Sequence, residues 1–234
     1  MKKAFTLLEL VFVIVVIGIL AAMIIPSTRT NPLQEAAIQV LSDIRYTQHL
    51  AMVDDKYDPS NLDSAGVTKW YKERWQIIFS SNTNSDGQMG YTIFSDTSGD
   101  STGHPNEIEI AIDPNNVNRR MTGGYTGDIN LDINGVNFLG MKKLNLGRSY
   151  GVGNVTFSNS CDGANGSSKR ISFDHMGRPL QGDISTNVMA LENDDLIQSD
   201  CDILLTHENG DTITIRVEEE TGFSCILNSA NQCI

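Results

Sequence analysis

MKKAFTLLELVFVIVVIGILAAMIIP, residues 1–26, decides how the rest of the chain is read. From Phe5 to Ile25 the only charge is Glu9; every other residue is apolar or small. At about 1.5 Å per residue, such a run as a helix covers roughly 30 Å of hydrocarbon. Lys2 and Lys3 precede it, and no cation follows until Arg29. The positive-inside rule then keeps the N-terminus cytoplasmic and sends everything after Pro26 across the membrane. A carboxylate inside lipid costs several kcal/mol, so Glu9 is expected to be kept for a reason. Pro26 follows without an A-x-A cleavage pattern, which argues against an ordinary secretory signal; a plain signal anchor is the simpler alternative.

Beyond Pro26, Asn31 and Pro32 read as the N-cap and first residue of a second helix running to about Val53. Leu33, Ala37, Val40, Leu41, Ile44, Gln48 and Ala51 recur at three- and four-residue spacing and form its inner face. Gln34, Glu35, Gln39, Asp43 and Arg45 are placed mostly outside. Residues 54–69 are polar and read as a loop. From Trp70 the period changes to two. Strands are expected at Trp75–Phe79, Tyr91–Phe94, Glu107–Ile112, Asn154–Ser158, Arg170–Asp174, Asp202–Thr206, Asp211–Val217 and Phe223–Leu227. Asn134-Gly135 marks a hairpin within 128–139. The fold class expected is α+β: a long N-terminal helix, transmembrane and then amphipathic, packed on a C-terminal antiparallel sheet domain.

The 234 residues suffice for one anchor and one sizeable domain, and their formal net charge is −12. So acidic a surface repels phosphate backbones, which makes a nucleic-acid partner unexpected and calcium or a basic subunit a better fit. All four cysteines, Cys161, Cys201, Cys225 and Cys233, fall late in the chain without metal-ligand spacing. In a translocated domain they read as disulfides. Three pairings exist; Cys225 with Cys233, closing a short loop, and Cys161 with Cys201, tying two strands, are favoured over the others and over reduced thiols.

The search for chemistry is mostly negative. His49, His104, His175 and His207 are dispersed, and no P-loop, G-x-S-x-G or G-x-G-x-x-G occurs, so no enzymatic activity is expected. Ser172, Asp174 and His175 resemble a triad fragment, but adjacent strand residues point to opposite faces. Two loops have calcium-like oxygen spacing: Asn82-x-Asn84-x-Asp86-Gly87, and Asp96-x-Ser98-x-Asp100 followed by Glu107. Solvated turns are the preferred account of both. Arg119-Arg120 and Lys142-Lys143 are the basic pairs of the sheet region, read as edge-strand charges.

The stretch K-K-A-F-T-L-L-E-L-V-F-V-I-V-V-I-G-I-L-A-A resembles the leader and mature N-terminus of type IV pilins and type II secretion pseudopilins. The resemblance implies a leader at 1–4, cut by a prepilin peptidase between Ala4 and Phe5, and N-methylation of Phe5. It also implies a transmembrane and filament-core helix at 5–26 bent at Pro26, an amphipathic half-helix at 27–53 and a periplasmic domain at 54–234. Ala4 departs from the Gly usual before the cut. In a filament, Glu9 would meet the Phe5 amine of a neighbour; pairing two buried charges recovers much of their desolvation cost and sets the axial register. R-I-S-F-D-H-M-G-R-P (170–179), D-I-L-L-T (202–206) and D-T-I-T-I-R-V-E-E-E-T-G-F (211–223) resemble the closing strands of H-type minor pseudopilins. That implies a minor subunit of a secretion filament, with an inner-membrane assembly platform, other pilin-like subunits and an external ATPase as partners. A minor pilin of a type IV pilus or a DNA-uptake system is the alternative.

Overall fold

The computed structural model describes residues 6–24, 31–63, 66–98, 103–125, 131–162, 169–187, 189–190 and 195–234. It divides into two compact units, Met1–Asn31 and Pro32–Ile234. The first holds one helix, α1 (Leu7–Ile24), of 18 residues. Aliphatic side chains surround it on all sides, so it has no polar face to offer water. From Leu7 to Leu20 they are exposed, Leu7 and Leu8 at 81 % and Phe12 at 71 %. Eighteen residues rise about 27 Å. Among the described residues no helix is long and apolar enough to cross a membrane. Phe5, Ile25 and the expected bend at Pro26 lie outside the described residues.

The second unit begins with α2 (Pro32–Val53). Proline suits the first helical position, where its missing N–H is not needed. The strands that follow are β1 (Trp75–Ser80), β2 (Gly90–Ser95), β3 (Ile112–Asp113), β4 (Asn116–Arg120), β5 (Val152–Phe157), β6 (Arg170–Phe173), β7 (Pro179–Gln181), β8 (Cys201–His207), β9 (Thr212–Val217) and β10 (Ser224–Ile226); a short helix, α3 (Leu146–Tyr150), leads into β5. They form two four-stranded sheets, ordered β2-β1-β6-β7 and β10-β9-β8-β5, and a small β3-β4 ribbon, all antiparallel.

The main core lies where α2 meets both large sheets. Ala37, Val40 and Ile44 from the helix join Ile77, Phe79, Ile93 and Ile171 from one sheet and Val155, Ile203, Leu205 and Ile215 from the other. Phe79 spans the two sheets, its ring 5.3 Å from that of Tyr91 and 5.7 Å from that of Phe157. Burying such a side chain stabilises by about 2 kcal/mol or more. The apolar face of α2 is therefore what joins the two sheets into one unit.

Three expectations need correction. Glu107–Ile112 is not a strand: Glu107–Glu109 is a 3₁₀ turn, Ile110 makes a single bridge to Phe94, and the β3 ladder begins only at Ile112. Glu109 is buried and Ile108 is 83 % exposed, the reverse of what the residue types suggest. The cause is local, because Glu109 Oε2 accepts the Asn106 N–H at 2.9 Å and caps the turn. Asn134-Gly135 does sit in a turn, with Gly135 N donating to Asp132 O at 2.9 Å, but residues 131–139 pair into no strand. Asp132 Oδ1 accepts the Asn134 N–H, closing an Asx turn that needs no flanking strands. Asp43, placed outside from its charge, is buried at 6 % exposure.

Candidate assembly site

The start of α1 is held by its own side chains. Glu9 Oε2 accepts from the Thr6 backbone N–H at 3.0 Å and from Thr6 Oγ1 at 2.9 Å. Thr6 Oγ1 in turn accepts the Glu9 N–H at 3.3 Å. Thr6-Leu7-Leu8-Glu9 is thus a capping box, in which the first and fourth residues satisfy each other's orphan N–H groups. The T-x-x-E pattern ahead of an apolar run was there to be read in the sequence. Glu9 remains exposed. Ala4 and Phe5 lie outside the described residues.

A second carboxylate stands in the core, where sequence reasoning missed it. Tyr91 Oη donates to Asp43 Oδ2 at 2.6 Å and Gln39 Nε2 donates to the same atom at 2.8 Å. Burial raises the Asp43 pKa above its ordinary value, against the lowering effect of those two bonds. Burial likewise pushes the Tyr91 phenol well up, so it stays a donor. Ala36, Val40, Asp43, Thr47 and Ala51 follow at helical spacing on the buried face, which is the signal that would have placed Asp43 inside.

Cys161 is bonded to Cys201 and Cys225 to Cys233. The first ties the loop after β5 to the start of β8. The second holds the C-terminal residues against β10, where Ile234 N donates to Ile226 O at 2.9 Å and Leu227 bridges Cys233. A sheet edge otherwise open to another chain is thereby covered.

The calcium-like loops are built as turns. Asn82 caps the 3₁₀ turn Thr83–Ser85, and Asp86 takes a left-handed conformation after it. Asp96 is buried with Oδ1 accepting from Ser98 Oγ at 3.1 Å. Glu109, rather than Glu107, closes that loop by accepting the Ser98 N–H at 2.8 Å. Asp100 lies outside the described residues. Among the described residues, no three His, Cys, Asp or Glu side chains come together as metal ligands. Asp174 is committed to its turn, accepting from Met176 N, Arg178 N and Arg178 Nε, while His175 is exposed.

The two basic pairs, separate in sequence, share one region. The end of β4 runs beside residues 138–141, with Arg120 N donating to Leu139 O and Met141 N to Thr122 O, both at 2.9 Å. That segment leads directly into the turn Lys142–Leu144 and then α3, which carries Arg148.

Residues 1–25 match the family described as the prokaryotic N-terminal methylation motif. Neither the curated proteins nor the solved structures contain a match to the chain. The motif implies processing by a prepilin peptidase and assembly with other pilin-like subunits. Residues 1–25 are thus a prepilin-type N-terminus, consistent with the type IV pilin-like and pseudopilin family.

Proposed function

We propose that the chain is a structural, non-enzymatic subunit of a type II secretion-like filament, a minor pseudopilin anchored in the inner membrane before assembly with its C-terminal domain in the periplasm. The observation that carries this is α1: an all-apolar exposed helix whose one carboxylate stands at its first turn, inside a prepilin-type motif. Such a surface is stable only when covered by lipid or by like helices. After a cut before Phe5 the new amine would lie four residues from Glu9, close enough along a helix to meet the carboxylate of a neighbouring copy. The size of the domain favours a minor place over the repeating shaft. With no nucleotide-binding motif in the chain, the work of extension falls to an external ATPase.

Mass spectrometry of protein from native membranes tests this directly. The expected N-terminus is a methylated Phe5. An intact Met1, or a new terminus beyond Ala22, would remove the foundation of the reading. DNA uptake is the second reading, supported by the shared region of Arg119, Lys142, Lys143 and Arg148; the net charge of −12 weighs against it. Titration of the full chain with duplex DNA over a salt series separates the two, since no binding even at low salt would eliminate uptake.

A further inference from the structure

Four cations of the 119–148 region stand out. Arg119, Lys142, Lys143 and Arg148 all face solvent. Among the described residues none of them has a carboxylate within ion-pair distance. Their hydrogen bonds hold them in place without neutralising them. Arg119 Nη1 donates to the carbonyls of Phe138 and Gly140, and Arg148 Nη1 donates to Asn134 Oδ1 at 2.8 Å. Ser149 Oγ donates to Lys142 O at 2.7 Å and folds α3 back onto the lysine turn. Asp132 Oδ1 accepts from Asn134 N, and the buried Asp43, which feels Lys143, accepts from Tyr91.

On the other side stands the turn between β9 and β10, Glu218-Glu219-Glu220. Glu219 and Glu220 are exposed and make no ion pair among the described residues. The turn is fixed against α2, where Gln48 Nε2 donates to Thr221 O and Arg45 to Ser224 O, at 2.9 and 2.6 Å. Arg45 and Gln48 lie roughly 150° around α2 from Gln39 and Asp43, the flank nearest the lysines. The acidic turn therefore lies on one flank of α2, and Asp43, which feels Lys143, on another.

We propose that the surface of Arg119, Lys142, Lys143 and Arg148 docks the Glu218–Glu220 turn of a second copy of this chain. A protein of net charge −12 repels its own kind unless oriented so that a cationic surface meets an acidic one. Because the two surfaces differ, the contact is heterologous and does not close into a two-fold dimer. The proposal rests on the filament reading for its purpose, not for its test, since contact between heads needs no cleavage at Phe5. A less abundant subunit can still enter in adjacent copies.

The test uses the full chain in mild detergent, with self-association measured by sedimentation across a salt series. Wild-type association should weaken about tenfold between about 0.05 and 0.5 M salt. Lys142→Glu with Lys143→Glu, or Glu219→Lys with Glu220→Lys, should each weaken it about tenfold at low salt. All four changes in one chain should restore it, because the two surfaces are again complementary. Circular dichroism identical to wild type confirms folding. Association indifferent to salt, or a fourfold variant no better than either pair, would overturn the proposal. So would tight duplex DNA binding lost with the lysines in a chain that does not self-associate. An intact Met1 in native protein would sink the filament reading alone and leave this result standing.

Discussion

Replacing Tyr91 by Phe removes one hydroxyl from a buried pair and leaves the ring packing in place. Two bonds converge on Asp43 Oδ2, 2.6 Å from Tyr91 Oη and 2.8 Å from Gln39 Nε2. With Asp43 ionised, a hydrogen bond to the charged group contributes about 2 kcal/mol; with it protonated, a neutral bond contributes about 1 kcal/mol. The pH dependence has a definite sign. The folded-state pKa of Asp43 lies above its ordinary value, mainly because of burial. Between the two values the folded chain holds a proton that the unfolded chain has released, so this group's contribution is fullest in acid and declines as pH rises through the folded value. The Tyr91 bond lowers that pKa, so Tyr91→Phe raises it further and extends the decline to higher pH. The variant should therefore cost about 2 kcal/mol at pH above the folded-state pKa of Asp43, a melting shift of about 5 °C for a domain of this size, and about half that at pH below it. Thermal unfolding of the full chain in detergent, followed by circular dichroism at two pH values, reads both numbers. A cost that is the same at both pH values would refute the claim that the hydroxyl supports the ionised carboxylate.

The other predictions are shorter. Converting Cys161 and Cys201 to Ser should cost about 4 kcal/mol, because a 40-residue separation is released in the unfolded chain; the same change at Cys225 and Cys233, 8 apart, should cost about 2.5 kcal/mol. Urea unfolding of the two variants gives the order, and the reverse order would refute the loop-entropy account. Gly222→Ala should destabilise by about 2 kcal/mol or more, since the residue has φ +66° and a Cβ would fall 2.5 Å from Gly177 O. Its melting temperature should drop while that of Gly210→Ala, with open space around it, drops less. Glu9→Gln should keep α1 capped yet abolish incorporation into filaments sheared from cells, whereas Thr6→Ala should weaken the cap by about 1 kcal/mol and leave incorporation largely intact.

What could be read in the sequence followed burial. Strands β1, β2, β6, β8 and β9 alternate or run apolar because they face a core, and their bounds fall within a residue or two of those expected. The β3-β4 ribbon could not be seen, because Asn116–Arg120 buries almost nothing and so leaves no apolar period. α3 is five residues long, too short for a helical period to register. Glu107–Ile112 misled because its alternation was real but its capping was stronger. Asp43 was misplaced for a different reason: its charge was read ahead of its place in the row Ala36, Val40, Thr47 and Ala51, and its partner, Tyr91, lies 48 residues away. The basic surface was legible as two pairs, but only the path of residues 138–141 along β4 joins them.

Glu9 shows how one side chain can serve the isolated helix and the proposed assembly without conflict. Both bonds from Thr6 fall on Oε2, whereas an ionised carboxylate has acceptor sites on two oxygens. A neighbour's amine could therefore approach through Oε1 while the cap stays closed. Closing the cap costs the assembly nothing and fixes the carboxylate's direction beforehand, which lowers the ordering cost of the later ion pair. A glutamine would keep the first role, because a neutral amide oxygen still accepts from Thr6, but it would leave a buried amine without a counter-charge. The cap and the charge are thus separable by substitution, and in the proposed assembly it is the charge that one subunit uses to find the next.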